Sequence, residues 1–388
     1  MDALPPTSMA RGMTMRNAAI TGWGMAVPER VLTNADLERM VETSDEWITT
    51  RTGIKERRIV GPDDSTTSLS VAAARQALEK AGLTADDIDL IVVATCTPDQ
   101  FLVSQACLVQ AELGGNAGAF DLGAACSGFV YALAVGSQFV QTGLHDRVMV
   151  IGVDTLTRFV DYTDRSTCIL FGDGAGAVVL EATDEPRGLL STVLGADGAG
   201  YKHLYIPGWG AFVPESAEIF PEYRPYLHMN GQEVFRFAVR VMGDAAVDVV
   251  EKANLSFDDV DMLIPHQANM RIIDAAARRL ALPREKVWVN LDRYGNTSAA
   301  SIPIAMAEAA EAGKLHEGDN VVLVAFGGGL AWAAGLVRWG TAGVCRDPKC
   351  RRRGSSESEA GGRRPDVAHA QHGLPFPRAP RPMHSEKD

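Results

Sequence analysis

The sequence has no apolar run near the length of a membrane span, which excludes a helical transmembrane anchor. Its six cysteines, Cys96, Cys107, Cys126, Cys168, Cys345 and Cys350, are scattered over 388 residues without a disulfide framework. That usage fits a reducing compartment and predicts a cytoplasmic protein. Cys345 and Cys350 have no second ligand pair nearby, so no metal site is expected. Positive charge is short as well: 37 Lys and Arg face 49 Asp and Glu, a formal net charge of −12. The stretch after Gly340 carries ten basic and six acidic residues, so the body before it stands near −16. Such an acidic body argues against nucleic acid as a partner, and an acidic partner must find a local basic patch. Arg11 and Arg16 lead an apolar stretch that imitates a secretion signal, but Thr21, Gly22 and Gly24 interrupt it. A first β-strand is predicted there instead.

What is present centres on Asp121-Leu-Gly-Ala-Ala-Cys-Ser-Gly-Phe, where Cys126 stands between small residues and an apolar helix spanning Gly128 to Gln141. A sulfur at a helix N-terminus meets unpaired amides and the helix dipole, which predicts a stabilised thiolate. The neighbouring small residues leave room for a substrate. The alternative is a buried, inert cysteine packed as a small hydrophobe. Two distant motifs favour the nucleophile. Ile264-Pro-His-Gln-Ala-Asn sets His266 and Asn269 after an apolar strand, Asp261 to Ile264, and Tyr294-Gly-Asn-Thr-Ser-Ala sets Asn296 on a turn before a helix. Either could be structural alone, but Cys, His and Asn at element ends form a set suited to thioester chemistry.

The chain also repeats itself. Ala81 to Ile91 and Ala253 to Leu263 align without gaps at an offset of 172, with five of eleven positions identical and four conservative. Leu144-His-Asp-Arg parallels Leu315-His-Glu-Gly, and Phe171-Gly-Asp-Gly parallels Phe326-Gly-Gly-Gly. Continuous apolar strands such as Leu90 to Ala94 and Val321 to Phe326, alternating with helices, predict an α/β fold with helices on both sheet faces.

From about Met15 to about Gly340, these three motifs resemble the β-ketoacyl-[acyl carrier protein] synthase III family, which starts type II fatty acid synthesis. The resemblance implies a thiolase-like fold of two tandem halves stacked as α-β-α-β-α layers. Residues 15–185 would form the half bearing Cys126, and residues 186–340 the half bearing His266 and Asn296. Residues 1–14 would be an extension, and residues 341–388, rich in Arg, Pro, Gly and Ser, a disordered tail. The implied reaction is a decarboxylating Claisen condensation of an acyl-CoA with malonyl-acyl carrier protein, without a cofactor. Cys126 would carry the acyl group, and His266 and Asn296 would stabilise the decarboxylation. The backbone amides of Cys126 and Gly328 would form an oxyanion hole. Trp47, Arg51, Arg165 and Asn269 would bind CoA, with adenine between Trp47 and Arg165.

Leu102 and Phe171 would line the acyl pocket, Leu102 across a homodimer interface. A Leu there, where the family often has Phe-Pro, would admit longer or branched starters. Asn269 to Leu280 reads as an amphipathic helix with Ile272, Ile273, Ala276 and Leu280 inward. Its Arg271, Arg278 and Arg279 would dock the acidic acyl carrier protein. Other readings keep the same residues for acyl transfer or polyketide priming in a secondary pathway. A non-catalytic thiolase-fold partner is a third reading. Chalcone synthases share the Cys-His-Asn set with less similar surroundings, and no motif here supplies the acidic residue of HMG-CoA synthases.

Overall fold

A computed structural model describes residues 16–207 and 226–341. The expectations for residues 1–14 and, beyond residue 341, for the tail lie outside the described residues. The main strands are β1 (Asn17–Ala26), β2 (Leu90–Ala94), β3 (Gly118–Leu122), β4 (Arg147–Asp154), β5 (Gly174–Thr183), β6 (Gly188–Ala196), β7 (Met262–Pro265), β8 (Asn320–Gly327) and β9 (Ala331–Arg338). They hydrogen-bond in the order β7-β8-β9-β6-β1-β5-β4-β2-β3. The order reads as one pattern laid down twice about the β1–β6 seam. That seam is a single parallel pairing at Ala18 and Gly188. On each side an antiparallel strand, a second antiparallel strand and a parallel strand follow in turn.

The helices that cover these strands are α1 (Asp45–Thr52), α2 (Thr66–Ala81), α3 (Gln105–Leu113), α4 (Gly128–Gln141), α5 (Gly231–Lys252), α6 (Met270–Arg279) and α7 (Ser301–Glu311). Helix α2 packs on the outer face of β1, β4 and β5, and α5 on the outer face of β6, β8 and β9. Helix α4 touches strands of both halves from between them, and α7 lies beside β1, β5 and β7. The result is the α-β-α-β-α stack. Strand periodicity explains why the buried strands are apolar throughout. Leu90, Val92 and Ala94 point into the central core, while Ile91 and Val93 point into the core under α2. Val321, Leu323 and Ala325 share that central core, and Val322, Val324 and Phe326 pack under α5.

The sequence repeat is a structural repeat down to single hydrogen bonds. Thr84 and Asp87 form a capping box, and Ser256 and Asp259 form its counterpart. Gly82 (φ 66°) and Asn254 (φ 57°), 172 residues apart, both take the left-handed conformation that ends a helix. The Asp89 carboxylate accepts the N–H of Arg147, as that of Asp261 accepts the N–H of Asn320, both at 2.9 Å. Arg147 and Asn320 are therefore equivalent, and counting along β4 and β8 makes Asp154 equivalent to Gly327. This corrects one sequence parallel. Phe171-Gly-Asp-Gly and Phe326-Gly-Gly-Gly both precede the last strand of a half, but they do not occupy equivalent positions. Phe326 lies within β8, whereas Phe171 closes an excursion, residues 155–173, that residues 328–330 replace in the second half.

Candidate active site

Cys126 lies in a 3₁₀ turn, Ala125–Ser127, that runs directly into α4. Ala125 takes φ 46°, a left-handed conformation costly for a residue with a Cβ, and it turns the chain sharply ahead of the sulfur. The helix start is where the sequence placed it, but the expected resting thiolate is not supported. Cys126 is only 7% exposed, and burial pushes its thiol up to about 12. The hydroxyl of Ser298, donating to the sulfur at 3.3 Å, opposes that shift, and the nearby Asp154 carboxylate adds to it. Burial disfavours the charged form and outweighs the helix start.

His266 follows β7, which spans Met262–Pro265 rather than Asp261 to Ile264. Its ring is buried edge-on against Phe326, with centroids 5.5 Å apart. Burial pulls its pKa down to about 3, so the imidazole is neutral at physiological pH. Nδ1 lies 2.6 Å from Ser301 Oγ, and Nε2 is buried without a hydrogen-bond partner among the described residues. An unpaired buried nitrogen in a cavity wall is a position for a substrate atom. Asn296 is fixed by its backbone, which exchanges hydrogen bonds with Leu170 and Gly172 on either side of Phe171. Its Oδ1 accepts the Ser298 N–H at 2.9 Å, which commits that oxygen and leaves Nδ2 as the donor.

Three residues here were given no role by the sequence, although Ser298 and Ser301 follow Asn296 closely in its own motif. Ser301 holds the His266 ring. Ser298, at φ 52°, touches both Asn296 and Cys126. Asp154, fully buried at the end of β4, accepts the N–H of Ala299 at 3.2 Å. The signal that finds Ser298 is the duplication. Ser298 opens the 3₁₀ turn before α7 as Ala125 opens the one before α4, with the same left-handed φ.

Two cavities meet at Cys126. One, of about 390 Å³, is walled by apolar side chains including Leu156, Phe159, Phe171 and Leu227, with Gly328 at its edge. The other, of about 90 Å³, is lined by His266, Asn296 and Asn269, with Phe171 shared between the two. The position of Gly327 explains how closely the second half approaches the nucleophile. A Cβ there would stand 2.6 Å from the Cys126 nitrogen.

The remaining predicted residues lie outside the catalytic set. Trp47 is half-buried on α1, with Arg51 stacked 4.6 Å and Arg165 4.8 Å from its ring centre. Arg165 thus occupies the ring face expected to take adenine, and the slot between the two is closed. Asn269 is the N-cap of α6. Its Oδ1 accepts the Arg271 N–H, and its Nδ2 donates to the Arg51 carbonyl at 3.0 Å, joining α6 to α1. Arg271, Arg278 and Arg279 are exposed on α6, while Ile272, Ile273, Ala276 and Leu280 are buried as the pattern predicted. Arg279 faces Asp244 at 3.5 Å, and Arg271 donates to the Thr50 carbonyl. Within one chain Leu102 lines neither cavity. It is fully exposed at φ 74°, and its neighbour Phe101 lines the larger cavity instead. Among the described residues, no group of three or more His, Cys, Asp or Glu could hold a metal ion.

The sequence matches the family described as 3-oxoacyl-[acyl-carrier-protein (ACP)] synthase III over residues 120–198, and its C-terminal part over residues 250–339. It is 57% identical to a β-ketoacyl-[acyl-carrier-protein] synthase III of Symbiobacterium thermophilum, covering 84% of this chain and 100% of that one. Its fold superposes on the crystal structure of 3-oxoacyl-[acyl-carrier-protein] synthase III from Aquifex aeolicus with a TM-score of 0.78. That pair is 47% identical over 83% of this chain and 100% of the other. The priming β-ketosynthase of the R1128 polyketide pathway superposes with a TM-score of 0.80. It is 37% identical, over 85% of this chain and 98% of that one.

Proposed function

Because the chain belongs to the β-ketoacyl-[acyl-carrier-protein] synthase III family, the starter condensing enzymes of fatty acid synthesis, we propose the following roles for its residues. Its substrates are an acyl-CoA and malonyl-acyl carrier protein. Cys126 attacks the acyl-CoA carbonyl, the C–S bond to CoA breaks, and the cysteine proton leaves with the CoA thiol. The backbone N–H groups of Cys126 and Gly328 hold the oxyanion of that step. Malonyl-acyl carrier protein then loses carbon dioxide, and charge develops on its thioester oxygen. His266 Nε2–H and Asn296 Nδ2–H donate to that oxygen. With Ser301 donating to Nδ1, the ring hydrogen sits on Nε2, the tautomer this role needs. The carbanion attacks the acyl-cysteine, and the sulfur leaves and regains a proton. No cofactor enters these steps.

The observation that carries the reading is the unpaired, buried His266 Nε2 in one cavity wall with Cys126 and Asn296. The apolar 390 Å³ chamber supports an acyl group larger than acetyl. We read residues 15–185 and 186–340 as the two copies of the repeat. Trp47, Arg51, Arg165 and Asn269 form the CoA entrance, with Arg165 swinging away to admit adenine. The arginines of α6 receive the carrier protein. We further read a cytoplasmic homodimer. The exposed Phe101-Leu102-Val103 loop and the edge strand β3 support the dimer, and the free thiols of the four described cysteines support the compartment.

The test is mass spectrometry of intact protein after incubation with acetyl-, isobutyryl- and longer acyl-CoA. Wild type gains one acyl mass, and Cys126→Ala gains none. His266→Ala is acylated yet no longer decarboxylates malonyl-acyl carrier protein. Label persisting on Cys126→Ala removes the cysteine from its role, and a strict acetyl preference removes the larger starter.

A further inference from the structure

Asp154 is fully buried, and no basic side chain pairs with it among the described residues. A buried carboxylate without a cation is costly unless donors converge on it. Here they come from two places. Oδ1 accepts from Thr95 Oγ1 at 3.1 Å, the Cys96 N–H at 2.8 Å, the Cys96 thiol at 3.2 Å and Thr97 Oγ1 at 3.0 Å. Those residues form a strap whose Cys96, Thr97 and Pro98 wall the larger cavity. Oδ2 accepts the Ala299 N–H, in the turn that carries Ser298.

The repeat gives this contact a meaning. Asp154 is equivalent to Gly327, and Ala299, next after the left-handed Ser298, is equivalent to Cys126, next after the left-handed Ala125. In one half the strand end presents a carboxylate that occupies the N–H of the turn. In the other it presents no side chain, and the N–H of Cys126 is left to a substrate. We infer that Asp154 is a positioning residue for the condensation, clamping the 298–300 turn of the second half to the 95–97 strap of the first. It thereby sets where the Ser298 hydroxyl and the Asn296 amide stand relative to the Cys126 sulfur. Asp154 also bears on the sulfur electrostatically. Cys96, Thr97, Ser298, Asn296, Asn269 and the neutral His266 are other polar side chains lining the two cavities with that sulfur. This inference rests on the condensing-enzyme reading above.

The test compares wild type, Asp154→Asn and Thr95→Val in three measurements: acylation followed by mass spectrometry, steady-state condensation, and the pH midpoint of Cys126 alkylation by iodoacetamide. Asp154→Asn removes the charge and sets an amide NH2 donor against a donor that the carboxylate now accepts from. Its kcat should fall roughly 10- to 100-fold, the effect of a small misplacement of reacting groups. Its KM for acyl-CoA should stay within about three-fold, because Asp154 touches no part of the proposed CoA entrance. Its alkylation midpoint should move down by about one pH unit, since a negative charge near the sulfur has gone. Thr95→Val keeps the charge but removes one donor, so its midpoint should move up. If Asp154→Asn does not fold, the direction of the Thr95→Val shift decides alone. A kcat within two-fold of wild type, an unmoved midpoint in Asp154→Asn, or a midpoint that fails to rise in Thr95→Val overturns the inference. A wild type that takes no acyl group on Cys126 would instead overturn the condensing-enzyme reading itself.

Discussion

At the residue scale, His266 and Ser301 act as a pair, and burial determines how. An imidazole with a pKa near 3 stays neutral through the working range, so with Ser301 donating to Nδ1 the Nε2–H is a donor that does not titrate away. Ser301→Ala removes the sole described partner of Nδ1. We expect malonyl decarboxylation to fall on the order of 10- to 100-fold. Acyl-enzyme formation, measured by mass, should stay near wild type. The same burial shapes stability. The folded-state pKa lies below the unfolded value of about 6.5, so the unfolded chain takes up a proton that the folded chain refuses. The stabilising contribution is present above that value and is lost as pH falls toward about 3. Urea midpoints from pH 7 to pH 5 should therefore drop more steeply in wild type than in His266→Gln. His266 and Asn296 were legible in the sequence because each sits in a motif at an element end. Ser301 and Asp154 were not. A serine in a helix and an aspartate at a strand end have many ordinary uses, and only three-dimensional proximity separates these two from the rest.

At the scale of elements, the end of β8 and the turn before α4 are fitted to one another. The backbone of β8 can approach Cys126 only because Gly327 has no side chain, and a Cβ there would also lie 3.1 Å from that of Ala125. Gly327→Ala should slow acylation of Cys126 by roughly 100- to 1,000-fold, as loss of an oxyanion donor does. Rapid-quench mass spectrometry reads this directly, and the far-ultraviolet spectrum should keep its wild-type shape. The repeat at offset 172 was visible because capping and turn residues recur with it: Thr84 and Ser256, Asp87 and Asp259, Gly82 and Asn254. The Phe-Gly parallel misled because both motifs precede a final strand. Composition does not reveal that one closes a long excursion while the other ends a strand.

At the scale of the whole molecule, three exposed apolar side chains stand side by side in one loop. Phe101, Leu102 and Val103 are 60%, 105% and 45% exposed, and Phe101 also lines the larger cavity. Leu102→Asp places a charge where the proposed partner subunit packs. Light scattering after size exclusion should show the mass shift from dimer toward monomer. An unchanged dimer mass would exclude this loop from the interface. Helices on both sheet faces were readable from strands apolar throughout, whereas the layer order followed only from the family resemblance. The exposure of Leu102 was not, since apolar residues in a loop look alike whether they are buried by their own chain or by another. The excursion at residues 155–173, which carries Arg165 and Phe171, has no equivalent of similar length in the second half. Among the described residues, a scaffold written twice therefore carries this long excursion once. Its near-symmetry ends at stoichiometry: in the proposed reaction one copy of the motif bears the cargo and the other serves as its backstop.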